Sequence, residues 1–265
     1  RFAEIQERMA DVSQKFSENV LDATDQWSLL VTTEELAGVP ADILEMTKVN
    51  AEKAGLQGHQ LSLKMPCYLP VMQFANNAAL REKIYRAYVT RASDQSVSSP
   101  SALPADASQP SSGNASKDNT ICIQEILSLR HEEAQLLGYD NFAEVSLASK
   151  MAQSPAEVMT FLRDLAKRAR PYAEKDVAEL REFAAKELNL KDTQAWDWTY
   201  IGEKLKEARY AFSEQEVKMY FTAPKVLAGL FKIVETLFEV SIRKDTAPVW
   251  HQGVECYRIE RAGTL

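Results

Sequence analysis

EILSLRHEEAQLLGYDNF, residues 125–142, decides whether this chain is interpreted as a metal-binding fold or as a helical scaffold. His131 and Glu132 open the pattern H-E-x-x-H, which on a helix presents two histidines to one zinc ion and places a glutamate beside them. The fifth position here is Gln135, and an amide is a poorer zinc ligand than a neutral imidazole. We therefore interpret the stretch as a helix, capped by Gly138, and not as a formed metal site.

The helix predicted around this stretch runs from Asn119 to Leu137. Its predicted apolar stripe consists of Ile123, Ile126, Leu127, Ala134 and Leu137, with Arg130 at the margin. On this interpretation His131 is partly exposed, and Glu132 and Glu133 are surface carboxylates. The other two histidines, His59 and His251, lie on separate predicted elements, and a zinc site built from all three is the alternative. We predict no catalytic, cofactor-binding or metal-ligating residue in this chain.

The composition favours a mainly helical protein. Only 9 Gly and 10 Pro occur in 265 residues, and charged residues make up 26%. The net charge of −7 argues against nucleic acid or an anionic membrane as the main partner. No apolar run approaches the roughly 18 residues of a membrane span, and no signal peptide is visible. Three scattered cysteines favour a reducing compartment, so we expect a cytoplasmic protein, or one of an organellar matrix.

The first segment, 1–94, is predicted to be helical with a short β pair. Apolar residues at helical spacing indicate a long helix to about Ala23. Residues 27–31 and 59–65 have the pattern of strands and are expected to pair as a small hairpin-like unit. Helices are predicted at 41–54 and 77–93, with a turn or short helix around Pro66 and Pro70.

Residues 95–117 differ in composition from the rest of the chain. They contain eight Ser and three Pro in 23 positions, QSVSSPSALPADASQPSSGNASK. Such a composition cannot bury enough apolar surface to offset the entropy of ordering. We predict a flexible insertion between two helices, serving either as loop padding or as a phosphorylation tract.

The segment 118–240 is again predicted to be helical, and 241–265 to begin a sheet. Ser154, Pro155 and Glu157 form a strong helix start. Pro171 predicts a kink or break before the pattern resumes to Leu188. Three further helices are predicted, the first capped by Asp197, the second capped by Ser213 and the third opened by Pro224. Strands are predicted at 241–243 and 253–261. Both ends of the chain look cut, so we expect a piece of a longer protein.

Other catalytic patterns are lacking. The sequence contains no G-x-S-x-G, no phosphate-binding G-x-x-x-x-G-K and no G-x-G-x-x-G. Cys67 follows Pro66 without a marked histidine partner, and we interpret it as a small core residue. Asp197, between Trp196 and Trp198, is interpreted as a helix N-cap flanked by core aromatics.

Longer blocks resemble a known family. The run YRAYVTRASD at 85–94 resembles a signature of the oligopeptidase A branch of the thimet-oligopeptidase-like zinc metallopeptidases. Further similar blocks occur in the expected order: FSENVLDAT at 16–24, the opening stretch extended to 152, FLRDLAKRARPYAEKDVAELREFA at 161–184, Trp196-Asp197, Tyr220-Phe221, Gly229-Leu230-Phe231 and Val249-Trp250-His251. The similarity covers nearly the whole chain except 95–117. Departures occur at Thr222, Glu239 and the pair Gln252-Gly253.

The resemblance implies a zincin-like oligopeptidase scaffold, in which two mainly helical halves enclose a channel for short peptides. In such enzymes a zinc-bound water attacks the peptide carbonyl, and a glutamate serves as general base. The family's H-E-x-x-H motif is expected after residue 265. The resemblance therefore implies that this chain supplies scaffold and channel wall, binds no zinc alone, and is inactive without the missing catalytic half. The alternative is a non-catalytic helical interaction module or a truncated inactive paralogue.

Overall fold

The computed structural model describes residues 1–96, 117–211 and 214–261, without the side chains of 214 and 215. The described chain is mainly α-helical with two small antiparallel sheets, as the sequence predicts. It divides into two compact units, Arg1–Leu205 and Lys206–Leu265. The predicted insertion 95–117 lies almost entirely outside the described residues.

The first unit opens with a long helix followed by the predicted strand pair. Helix α1 spans Phe2–Gln26, strand β1 Ser28–Val31, a 3-10 turn Glu34–Leu36, helix α2 Ala41–Lys53 and strand β2 His59–Ser62. The strands are antiparallel with Leu29 opposite Leu61, which confirms the predicted pairing. Gly58 enters β2 at φ +101°, where a Cβ would lie 2.9 Å from the carbonyl oxygen of Val31, so a side chain there would both strain and crowd the backbone.

The second strand is shorter than predicted. It ends at Ser62, because helix α3, Met65–Phe74, begins with Pro66 in its first turn. The short helix that the sequence allowed here is the observed form, and it continues through Pro70. Helix α4, Ala78–Val89, then starts at Asn77, whose side chain accepts a hydrogen bond from the backbone N–H of Leu80 at 3.2 Å.

The main core of the first unit lies among β1, β2 and helices α2 to α4. Its buried members are Trp27, Leu29, Val31, Leu36, Val39, Ile43, Leu61, Leu63, Cys67, Val71, Met72, Ala75, Leu80, Ile84 and Ala87. A smaller cluster joins Ala184 to Tyr200 and Ile201.

Helix α5, Thr120–Leu136, buries only part of the predicted apolar stripe. Its buried residues are Cys122, Leu129, Glu133 and Ala134, whereas Ile123 and Leu127 are exposed. Of the predicted stripe, Ala134 is buried, but Ile123, Leu127 and Leu137 are exposed, so the prediction is wrong for these three residues. The physical reason is that α1 packs against α5, and polar side chains of α1 bind Glu125 and Glu133 of α5. Periodicity alone does not indicate such partners.

The next helices follow the predicted order. Helix α6 spans Phe142–Leu147, with Asn141 accepting from the N–H of Glu144, and helix α7 spans Pro155–Glu187, with Ser154 accepting from the N–H of Glu157. Helix α7 runs without interruption through Pro171, so the prediction of a break there is wrong. Helix α8 covers Trp198–Tyr210.

The second unit contains the last helices and the second sheet. Helix α9 spans Glu214–Lys218, helix α10 Ala223–Phe238, strand β3 Val240–Asp245 and strand β4 Cys256–Arg261. The predicted cap Ser213 lies outside the described residues. The strands pair antiparallel, with Ile242 opposite Ile259. Strand β4 starts three residues later than predicted, because a turn at His251–Gly253 and two residues outside regular secondary structure precede it. Glu239 ends α10 in the left-handed conformation at φ 54°, a position typical of glycine.

Candidate functional site

The His-Glu pair lies on α5, and the two glutamates after His131 point toward α1. The guanidinium of Arg1 donates to both carboxylate oxygens of Glu132, at 2.6 and 2.7 Å, and holds the pKa of that carboxyl below its usual value. The side-chain amide of Gln6 donates to Glu133 at 2.8 Å, and Glu133 is buried. The prediction of two surface carboxylates is therefore wrong for Glu133. Both glutamates hold helices together.

His131 and Gln135 do not form a metal site. His131 is exposed, as predicted. The amide of Gln135 donates to the carbonyl oxygens of Tyr139 at 3.2 Å and Asp140 at 3.3 Å, so it satisfies groups beyond the end of α5. Within the described ranges, no group of three or more His, Cys, Asp or Glu side chains could hold a metal ion. The described side chains therefore do not fit a zinc ion.

His59 is buried and connects three segments of the first unit. Its Nε2 lies 3.0 Å from the hydroxyl of Thr33, and its Nδ1 lies 3.0 Å from the hydroxyl of Thr47 and 3.1 Å from the carbonyl oxygen of Leu44. Both ring nitrogens are thus occupied by polar neighbours inside the fold. This arrangement is that of a structural histidine that ties β2 to α2 and to the 3-10 turn.

His251 and Cys67 also have local roles. His251 Nδ1 accepts from the backbone N–H of Gly253 at 3.0 Å and so closes the turn before β4. Cys67 is a buried core residue, as predicted, and burial raises the pKa of its thiol. Its sulfur accepts weakly from the N–H of Ser62 at 3.4 Å. A thiol in this setting stays protonated and unreactive at neutral pH.

Asp197 directly precedes α8, as predicted, and the partners of its carboxylate lie outside that helix. One oxygen accepts from Arg81 Nη2 at 2.6 Å, and the other accepts from the backbone N–H of Gln194 at 3.0 Å. Arg81 also donates to the carbonyl oxygen of Ala75 at 2.6 Å and stacks 4.1 Å from the ring centre of Tyr200. The sequence carries no signal for this buried ion pair, because Arg81 lies between core positions of α4 and belongs to no motif.

A further feature of α7 is an apolar face that no described residue of the first unit covers. Within Pro155–Glu187, all of it described, the buried residue is Ala184. Phe161, Leu162, Leu165 and Tyr172 recur at helical spacing and are 66%, 49%, 52% and 74% exposed. We call these four residues the α7 face. A stripe of this kind on a globular protein normally packs against another element.

Helix α10 of the second unit has a comparable apolar surface. No residue of Ala223–Phe238, a fully described helix, is buried. The exposed apolar residues, called the α10 face, are Val226, Leu227, Leu230, Ile233, Leu237 and Phe238. One side of the helix contacts the second sheet, where Phe231 meets Tyr257 edge to face at 4.7 Å between ring centres. The apolar residues of the α7 face and the α10 face are therefore exposed in the described chain.

Comparison with known proteins identifies the family. A family model for peptidase family M3 matches residues 71–264. This chain belongs to peptidase family M3. Oligopeptidase A of Escherichia coli strain K12 is 45% identical over 263 residues, which are 98% of this chain and 36% of that relative. Oligopeptidase A of Salmonella typhimurium is 44% identical over 262 residues, with the same coverage. The resemblance drawn from the sequence blocks is confirmed.

More distant relatives extend the comparison to plants. The organellar oligopeptidase A of Arabidopsis thaliana, described as chloroplastic/mitochondrial, is 39% identical over 276 residues, which are 98% of this chain and 32% of that relative. The chain thus spans about a third of the length of the curated relatives it matches. Within the described parts of the chain, no helix combines the length and apolar character needed to cross a bilayer.

Proposed function

We propose that this chain is the scaffold part of a zinc-dependent endopeptidase that hydrolyses short peptides inside a narrow channel. The observation that carries the proposal is the match to peptidase family M3 over residues 71–264, together with the 45% identity to a relative named oligopeptidase A. In this proposal, residues 118–240 contribute channel wall and 241–265 begin the sheet of the catalytic domain. The segment 1–94 supports them.

The proposed zinc is held by residues outside 1–265. Support for this comes from the side chains themselves, since His131 has Gln135 four residues later and the two other histidines have local partners. When bound, such a metal would supply an activated water for attack on the peptide carbonyl. The described residues of this chain would hold helices in position and limit the size of the substrate.

The proposed partner of this chain is the catalytic part of the same enzyme. The relatives that match this chain over 98% of its length are much longer than it. The α7 face and the α10 face, each considered within its own unit, present large apolar side chains that a folded protein normally buries. We propose that the remainder of the enzyme covers them.

The proposed location is the cytoplasm or an organellar matrix. Three free cysteines in the described chain are compatible with a reducing compartment. The Arabidopsis relatives include one described as probably cytosolic and one described as chloroplastic/mitochondrial.

A chimera tests the proposal directly. Residues 1–265 replace the matching segment of the Escherichia coli oligopeptidase A, and the chimera is assayed on a short quenched peptide. We expect zinc-dependent hydrolysis with a preference for short peptides over folded proteins. A folded chimera that binds zinc but cleaves no peptide would contradict the proposed role.

A second candidate, a helical interaction module without catalysis, is favoured by the same exposed apolar faces. The coding sequence after residue 265 separates the two candidates. An in-frame H-E-x-x-H motif supports the enzyme. A stop codon directly after residue 265 supports the module.

A further inference from the structure

Asn119 connects the two stretches of chain on either side of residues 97–116. Its backbone N–H donates to the carbonyl oxygen of Ala92 at 3.0 Å, so the ends of the two stretches are hydrogen-bonded to each other. Asn119 is 3% exposed and Ala92 is 6% exposed. The junction is therefore part of the protein interior, although the chain leaves the described region a few residues away.

The side chain of Asn119 extends this junction to a third element, helix α1. Its Oδ1 accepts from the amide of Asn19 at 2.8 Å, and its Nδ2 donates to the carbonyl oxygen of Phe16 at 3.0 Å. Its own carbonyl oxygen accepts from the N–H of Ile123 at 2.9 Å. All four polar groups of this buried residue are satisfied, which makes the arrangement specific for asparagine.

Two cations beside the junction bind the same helix. Arg91, on the stretch before the gap, donates to the hydroxyl of Thr24 at 3.0 Å. Lys117, on the stretch after it, lies 3.5 Å from the carboxylate of Asp22. Helix α1 thus holds both stretches where they meet.

Two further sets of contacts join residues 1–96 to residues 117–205. Between α1 and α5, Arg8 donates to both oxygens of Glu125, at 2.5 and 3.0 Å, alongside the Gln6–Glu133 bond. Near the start of α8, the Arg81–Asp197 ion pair is accompanied by a hydrogen bond from the hydroxyl of Tyr200 to Asn76 at 3.1 Å. These two sets of contacts involve different helices. Together they fix both the position and the orientation of residues 117–205 relative to residues 1–96.

We propose that residues 1–96 and 117–205 are held as one folded unit by these contacts and not by the peptide link between them. A cut anywhere between residues 97 and 116 would then leave one intact particle, and Asn119 would set the register of the two pieces.

The test is a controlled cut of the full chain. A single protease recognition site is inserted between residues 106 and 107, which lie outside the described residues, and the chain is cleaved to completion. We expect both pieces to elute together at the size of the uncut chain at micromolar concentration, with helical circular dichroism retained. Separate elution of the pieces, or loss of the helical signal, would overturn the proposal.

A pair of substitutions in the cut chain tests the role of Asn119. Asn119→Ala removes two side-chain hydrogen bonds at the junction, and Asn50→Ala on α2 is the control. We expect the cut Asn119→Ala chain to dissociate at a concentration at least about tenfold higher than the cut control, which corresponds to a loss of at least about 1.4 kcal/mol. Equal dissociation of the two variants would refute the assignment to Asn119.

Discussion

Arg81 and Asp197 form an ion pair in the interior of the first unit, with 2.6 Å between Nη2 and Oδ1 and side chains that are 0% and 4% exposed. They are separated by more than a hundred residues in the chain and join α4 to the start of α8. A buried pair contributes little net stability relative to an apolar pair, but removing one partner leaves an uncompensated charge in the interior. The pair therefore fixes the position of the start of α8 relative to α4.

The first prediction concerns this pair. Arg81→Met is expected to lower the free energy of unfolding by about 3–5 kcal/mol, because Asp197 stays buried without its cation. The double variant Arg81→Met/Asp197→Leu is expected to lose less than the sum of the two single variants. Urea denaturation followed by circular dichroism measures both.

The control for this experiment is an exposed ion pair on α7. Arg170 lies 2.8 Å from Glu174, with side chains 79% and 64% exposed, so Arg170→Met is expected to cost less than about 1 kcal/mol. Equal losses for Arg81→Met and Arg170→Met would contradict the buried network.

The second prediction concerns pH and the pair Arg8–Glu125. The hydrogen bond from Arg8 holds the pKa of Glu125 below its ordinary value of 4.5. A carboxyl whose pKa is lower in the folded than in the unfolded state stabilises the fold at pH values above its pKa in the unfolded state. This contribution is lost as the pH falls through its pKa in the folded state. Glu125→Gln is therefore expected to lower the thermal midpoint at pH 7 and to have a smaller effect below about pH 4.

The matched background for the pH experiment is Arg8→Met. In that background the Glu125→Gln difference is expected to lose its dependence on pH, since the partner that lowers the pKa is gone. A pH-dependent difference of the same size with and without Arg8 would show that another group is responsible.

The third prediction compares the stability effects of truncating a buried and an exposed apolar residue. Ile84 is fully buried, and Ile84→Ala is expected to destabilise this chain by about 2–5 kcal/mol. Leu165, on the α7 face, is half exposed, and Leu165→Ala is expected to change the free energy of unfolding of this chain by less than about 0.5 kcal/mol.

The same substitution is expected to have a larger effect in the chimera with the Escherichia coli oligopeptidase A. There, Leu165→Ala is expected to lower the free energy of unfolding by more than about 1 kcal/mol. An unchanged small effect there would mean that the remainder of the enzyme does not cover the α7 face.

Local features of the sequence predicted most of the helices and strands, including the pairing of β1 with β2. The helix cap at Ser154 is visible from residue type and spacing, because the capping interaction is local. Where the sequence allowed a break at Pro171, α7 continues. A proline removes one hydrogen bond, and a helix of 33 residues can accommodate that loss.

Long-range partners could not be predicted from local pattern. Glu133 is buried because Gln6 binds it, and Arg81 is buried because Asp197 and Tyr200 surround it. Neither partnership has a sequence spacing that would reveal it. The apolar residues of the α7 face are exposed in the described chain, and their pattern does not identify a partner for them.

The absence of a formed H-E-x-x-H motif was visible in the sequence, and the structure explains what the residues do instead. Glu132 binds Arg1, and Gln135 satisfies carbonyl groups beyond the end of α5. The prediction that this chain binds no zinc of its own stays a prediction until it is measured.

The central claim is that this member of peptidase family M3 supplies scaffold while the cutting metal is held by residues outside 1–265. The most direct measurement combines zinc analysis of the purified, dialysed chain with an assay on a short quenched peptide, with and without a chelator. The account predicts far less than one zinc per chain and no hydrolysis that the chelator abolishes. One tightly held zinc per chain together with chelator-sensitive cleavage would contradict it.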